Sequence, residues 1–106
     1  MTGIAFHPDS EKELSLAVDY YDRCQAGLGL EFAQEVHRTL EDIIAFPKAW
    51  GQLSKNTRRC LVNRFPYGVI YSTERDGILI LAVMHLNRRP AYWKRRKKPV
   101  KAAQAK

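Results

Sequence analysis

Cysteine is scarce in this 106-residue chain, and its two cysteines, Cys24 and Cys60, stand in no Cys-x-x-Cys pair and at no Cys/His spacing that would hold a metal. A disulfide framework is therefore excluded as the main source of stability. Both thiols are expected reduced, with a Cys24–Cys60 bridge as the alternative. Long hydrophobic runs are missing as well: the longest, Ile78 to Met84, falls far short of the roughly 20 residues that cross a bilayer. No membrane partner is expected. The opening MTGIAFHPDSEKE has neither a basic start nor an apolar stretch, so no leader is expected and a cytoplasmic location is. Gly-rich phosphate loops, His-x-Glu or zinc spacings and glycosidase-type acid pairs are also absent. Chemistry without metal or cofactor is the expectation. At this length roughly 60–65% of the unfolded chain's surface can be buried, enough for one core and no second domain.

What is present is charge, unevenly spread. The formal net charge is +7, yet residues 1–46 hold nine acids against three bases, and residues 47–106 hold fifteen bases against Glu74 and Asp76 alone. Such a split in a short chain points to one basic face with a polyanion as its partner, against the bland reading of a soluble basic surface.

The hydrophobic residues, 45% of the chain, fall into two periods. Ile4 to Phe6 is a short strand-like segment closed by His7-Pro8. Ser10 and Glu13 then form the Ser-x-x-Glu capping pattern, and Leu14, Ala17, Val18 and Tyr21 follow at helical spacing, predicting a helix over about 11–25. Gly27-Leu28-Gly29 breaks it. A second stripe, Phe32, Val36, Leu40, Ile43 and Ile44, ends before Pro47, so two antiparallel helices form a hairpin. Residues 47–57 read as a loop. Beyond it the segments 58–64, 67–73 and 78–86 are rich in β-branched and aliphatic residues. Pro66 turns the first pair and Asp76-Gly77 the second, so these three strands should meander antiparallel. The fold class is α+β in the order β-α-α-β-β-β, a small antiparallel sheet covered by a helical hairpin. One domain is expected over 1–93, with a basic mobile tail over 94–106.

Candidate functional residues crowd into the second half. By the two-residue strand period Arg58, Cys60, Val62 and Arg64 share one side, so Arg58 and Arg64 could bracket a phosphodiester with their paired donors, or else line a solvated edge. His85 ends the most apolar strand beside Arg88 and Arg89. It is a candidate for proton transfer or a hydrogen-bonded structural residue. Tyr92-Trp93 with Lys94 and Arg95 interleaves aromatics and bases, suited to stacking a nucleobase, while Trp93 packed across the sheet is the alternative. His7 and His37 are weaker candidates, and Lys55 extends the basic surface from the loop. The inventory suits metal-free RNA cleavage, in which the ribose 2′-OH attacks and the protein supplies a proton acceptor, a donor and cations.

The segments NRFPYGVIY (63–71) and AVMHLNRRPAYWKRR (82–96), preceded by an acidic hairpin of the form LxxAVDYYD…GLGLEFxxEV, resemble the RelE/ParE superfamily of bacterial type II toxins over about residues 4–96. The resemblance implies a microbial-ribonuclease-like α+β fold and a cognate antitoxin that wraps and neutralises the toxin in a hetero-oligomer. It also implies one of two activities: RelE-like members cut mRNA in the ribosome, whereas ParE-like members poison DNA gyrase without being nucleases. On the RelE-like reading Arg64 and Arg88 stabilise the phosphorane and His85 or Tyr92 moves protons, while Lys55, Arg58, Arg89, Trp93, Lys94 and Arg95 hold RNA. Leu86 stands where a catalytic arginine would align, which leaves that role to Arg88 or Arg89. The expected function is a ribosome-dependent mRNA endoribonuclease that acts with ribosome and mRNA as partners. A gyrase inhibitor is the alternative, and a non-catalytic binding module acting with its antitoxin and operator DNA the second.

Overall fold

Chain order in the computed structural model is β1 (Gly3–Phe6), α1 (Pro8–Cys24), α2 (Leu28–Ala45), β2 (Gly51–Gln52), β3 (Thr57–Leu61), β4 (Tyr67–Glu74), β5 (Gly77–His85) and a 3-10 turn (Tyr92–Arg95). The structure describes residues 3–89 and 91–96. The strands form one sheet in the order β1-β5-β4-β3-β2. Its centre is the expected antiparallel meander of β3, β4 and β5. At one edge β1 runs parallel to β5, from Gly3 opposite Gly77 to Phe6 opposite Ile80, so the sheet as a whole is mixed. At the other edge the expected loop contains β2, two residues paired with Arg58 and Arg59. A strand that short leaves no period to read.

The helices start earlier than the apolar stripes suggest. Pro8 occupies the first turn of α1, where its missing N–H is not needed, and the His7 Nδ1 caps the helix by accepting from the Asp9 N–H at 3.1 Å. The expected Ser10/Glu13 capping box is therefore not formed. Ser10 is buried inside the helix, with its hydroxyl 2.6 Å from the His7 carbonyl and 3.2 Å from that of Ile80, and Glu13 reaches elsewhere. Gly27, at φ 89, makes the turn between the helices. Gly29 belongs to the first turn of α2 rather than to the break, and a Cβ there would stand 2.5 Å from the Val18 carbonyl oxygen of α1. The hairpin crosses where one residue has no side chain.

Two apolar layers flank the sheet. Phe32, Val36 and Ile43 of α2 pack with Ala17 of α1 against Val69, Tyr71, Ile78, Ile80 and Val83. On the opposite face Ile70, Leu79, Leu81, Ala82 and Met84 lie under Trp93. A bulge decides which residue goes where: Ile70 pairs with Ala82 and Tyr71 with Ile80, so Leu81 is one residue too many. An inserted residue reverses the alternation. Ile78 and Ile80 face the helices before the bulge and Val83 does so after it, which brings His85 to the helical face, edge-on to Tyr67 with ring centroids 5.1 Å apart. Among the described residues no helix is long and apolar enough to cross a membrane.

Replacing Gly29 by alanine should force the two helices apart and cost about 1–3 kcal/mol, as overpacking does. Urea denaturation of the variant reads this out. An unchanged midpoint would show that the crossing yields freely.

Candidate functional site

Strand β5 continues past Ile80, where β1 has already ended, and so, among the described residues, has an edge with no neighbouring strand. Backbone groups on such an edge need partners. Two side chains supply them. Glu13 of α1, with only 14% of its side chain exposed, accepts from the Val83 N–H at 3.0 Å, and Arg96 donates to the Leu81 carbonyl at 3.1 Å. The two residues also hold each other in a bidentate pair, with both nitrogen–oxygen distances 2.9 Å. Glu13 Oε2 further accepts from the Tyr92 hydroxyl at 2.6 Å, and Asp9 lies 3.8 Å from the Arg96 Nε. Two guanidinium groups lie over the Tyr92 ring, that of Arg88 4.0 Å from its centroid and that of Arg96 4.9 Å. Arg88 itself approaches Glu13 at 3.9 Å. Burial, followed by the hydrogen bond to Glu13 and that carboxylate's charge, drives the Tyr92 phenol well above the ordinary tyrosine range despite the two arginines. A phenol held this way keeps its proton at neutral pH and has it committed to the Glu13 carboxylate.

Arg64 is placed differently. The strand expected over 58–64 ends at Leu61, the Val62 N–H is bound to the Tyr67 carbonyl, and Arg64 follows in a left-handed turn at φ 73. Its guanidinium donates to Glu31 at 2.8 Å, lies 3.8 Å from the buried Glu35, and sits over the Phe65 ring. Arg58 donates instead to the Trp50 carbonyl at 2.9 Å. The two arginines are held by different partners, because strand alternation stops before it reaches Arg64.

His85 accepts the Asn87 N–H on Nδ1 at 3.0 Å and shares a shallow depression with Tyr67 and Arg88. Lys55, Arg89, Lys94 and Arg95 are exposed cations. Trp93 is 5% exposed and packs in the second apolar layer, so it offers no face to a nucleobase and the alternative reading of this residue is the one found. Of the tail expected from 94, Lys94 and Arg95 lie in the 3-10 turn and Arg96 is fastened to Glu13; the rest, 97–106, falls outside the described residues, as does Pro90. His7 is the helix cap, and His37 lies 3.4 Å from Glu41 on the exposed face of α2. Both cysteines are free, and burial together with the Asp42 charge pushes the Cys60 thiol up to about 11. No cluster of potential metal ligands occurs among the described residues. Sequence reasoning missed Glu13 as a hub and Arg96 as its partner, since 83 residues separate them. The available signal was a glutamate on the helix stripe opposite a surplus of C-terminal arginines.

A helical hairpin on a sheet of this topology is shared with a solved structure described as a chromosomal ParDE TA system from P. aeruginosa. The match has a TM-score of 0.71 and covers 81% of this chain and 97% of that one, at 16% sequence identity. At that identity the likeness defines the fold alone, an α+β domain. The family model for the ParE toxin of type II toxin-antitoxin systems, parDE, matches residues 4–90. The chain belongs to the ParE toxin family. No curated protein matches it. Tyr92 and Arg96 lie beyond the matched span, whereas Glu13 lies within it.

The raised Tyr92 value sets a pH dependence with a definite sign. The folded state holds the phenolic proton more tightly than an unfolded tyrosine with its ordinary value of 10.0, so this contribution is intact below about pH 10 and declines as the pH rises beyond it. Tyr92→Phe should cost about 1 kcal/mol near neutrality, through the lost hydrogen bond. It should also make the alkaline decline shallower. Urea midpoints collected between pH 7 and 11 test both, and identical alkaline slopes for the two proteins would contradict the burial of this phenol against Glu13.

Proposed function

We propose that the chain is the toxin of an antitoxin-controlled pair and that it acts by inhibiting DNA gyrase rather than by cutting RNA. One observation carries the choice between the two branches of the superfamily. Metal-free phosphodiester cleavage needs a proton acceptor, a donor and cations around one phosphorane, and two of the residues that the resemblance assigns to those tasks already hold internal partners. Arg64 is paired with Glu31 beside α2, and the Tyr92 phenol is bound to Glu13. The family match to ParE toxins supports the same branch. Antitoxin binding follows from membership of a type II toxin-antitoxin family, and the exposed cations Lys55, Arg89, Lys94 and Arg95 suit an acidic partner.

A second reading is favoured by His85 and Arg88, which line one depression with Tyr67 and would serve a RelE-like nuclease as base and cation. Two assays on the purified chain separate the branches. With gyrase and supercoiled plasmid the proposal expects linear, gyrase-trapped DNA, and in a translating extract it expects intact mRNA. Shortened mRNA that depends on ribosomes, with plasmid untouched, would overturn it.

A further inference from the structure

Between the outer face of α1 and the ends of β4 and β5 lies a depression of about 190 Å³ lined by Glu13, Leu16, Tyr20, Tyr67, His85 and Arg88. Its volume is below the range of ordinary small-molecule sites and suits a single inserted side chain. Leu16 and Tyr20 stand one helical turn apart and are 66% and 58% exposed, although the apolar stripe that α1 buries runs through Leu14, Ala17, Val18 and Tyr21. Single exposed hydrophobic residues need no explanation, but an adjacent pair beside a concavity marks an interaction surface.

The charge of the lining narrows the occupant. Both oxygens of Glu13 are already taken by the Val83 N–H, the Tyr92 hydroxyl and Arg96, so its negative charge is spent internally. Arg88 is 53% exposed and meets Glu13 only at 3.9 Å, which leaves its guanidinium as the charge this depression presents. An apolar floor with one cation at the rim complements an apolar side chain with a carboxylate close by. A nucleic-acid backbone is a poorer fit, because the exposed acids of α1, Asp9, Glu11, Asp19 and Asp22, outnumber its exposed bases Lys12 and Arg23, and a run of phosphates would be repelled on balance.

We propose that this depression is the docking site for the target protein: a segment of gyrase inserts one aromatic or leucine side chain against Leu16, Tyr20 and Tyr67 and sets a carboxylate on Arg88. The assignment rests on the gyrase reading above. Tyrosine and arginine around a central pocket are the residues that dominate interface energetics. Glu13 is a positioning residue here: it touches no partner, but it anchors Tyr92, on whose ring Arg88 stacks.

Binding of the full chain to purified gyrase holoenzyme, measured on an immobilised enzyme surface, tests the site. Tyr20→Ala and Arg88→Ala should each weaken binding by about tenfold or more, with both variants folded by thermal melt, Arg88→Ala losing only its stacking on Tyr92 and its approach to Glu13. Binding equal to the parent's in both variants overturns the site while leaving the gyrase reading intact. Variants that escape neutralisation by the antitoxin yet still trap gyrase would reassign the depression to the antitoxin and also overturn the proposal. A parent chain that does not bind gyrase at all, and instead cleaves mRNA, overturns the reading beneath it.

Discussion

Strand β5 is longer than the strand that pairs with its outer edge, and the backbone groups of the overhang must be satisfied without another strand. Glu13 and Arg96 do this together: the carboxylate takes the Val83 N–H, the guanidinium takes the Leu81 carbonyl, and the two close on each other. An unpaired buried N–H or C=O costs on the order of 1–3 kcal/mol, so the arrangement removes a liability as well as joining two parts of the chain. It is a side-chain substitute for a missing piece of sheet. It also denies that edge to another chain's strand.

Much of the second half is placed by this fastening. With Arg96 tied to α1, the preceding turn lies across the sheet and Trp93 covers Ile70, Leu79, Leu81 and Met84, which gives a small domain an apolar layer on both faces of its sheet. Tyr92 is held by the same carboxylate and in turn supports Arg88. Ala91 takes a left-handed conformation at φ 65 to enter the turn, a strained geometry that persists only when its surroundings fix it. The acidic and basic halves of the sequence are thus partners first of one another. Arg64 answers Glu31 and Glu35, and Arg88 and Arg96 answer Glu13. Among the described residues, Lys55, Arg89, Lys94 and Arg95 remain as exposed basic surface.

How much of this was legible in the sequence varies with the range of the interaction. The helical stripes and the Asp-Gly and Pro66 turns are local, and they placed both helices and the three-strand meander. β2 is two residues long and has no period. The bulge at Leu81 was invisible because Ile78 to Met84 is apolar throughout, so nothing in the pattern marks the residue at which the alternation reverses, and His85 could be assigned to neither face. Arg58 and Arg64 were expected on one side because strand alternation was extended three residues past Leu61, where the chain in fact turns. Ser-x-x-Glu reads as a local cap, while the partners of Glu13 are 70 to 83 residues away. The family resemblance was legible from the motifs themselves, but the division of charged groups between internal pairing and presentation to a target required the structure.

The gyrase reading proposed above draws on the use of Glu13, Tyr92 and Arg96 to hold the domain together. That depends on Glu13 being the fastening it is taken to be. Amide hydrogen exchange on Glu13→Ala compared with the parent chain measures this most directly. Protection should fall locally, at Val83 and over residues 91–96, while the amides of β3 and β4 keep theirs. Unchanged protection at Val83, or a loss spread evenly over the whole sheet, would contradict the account.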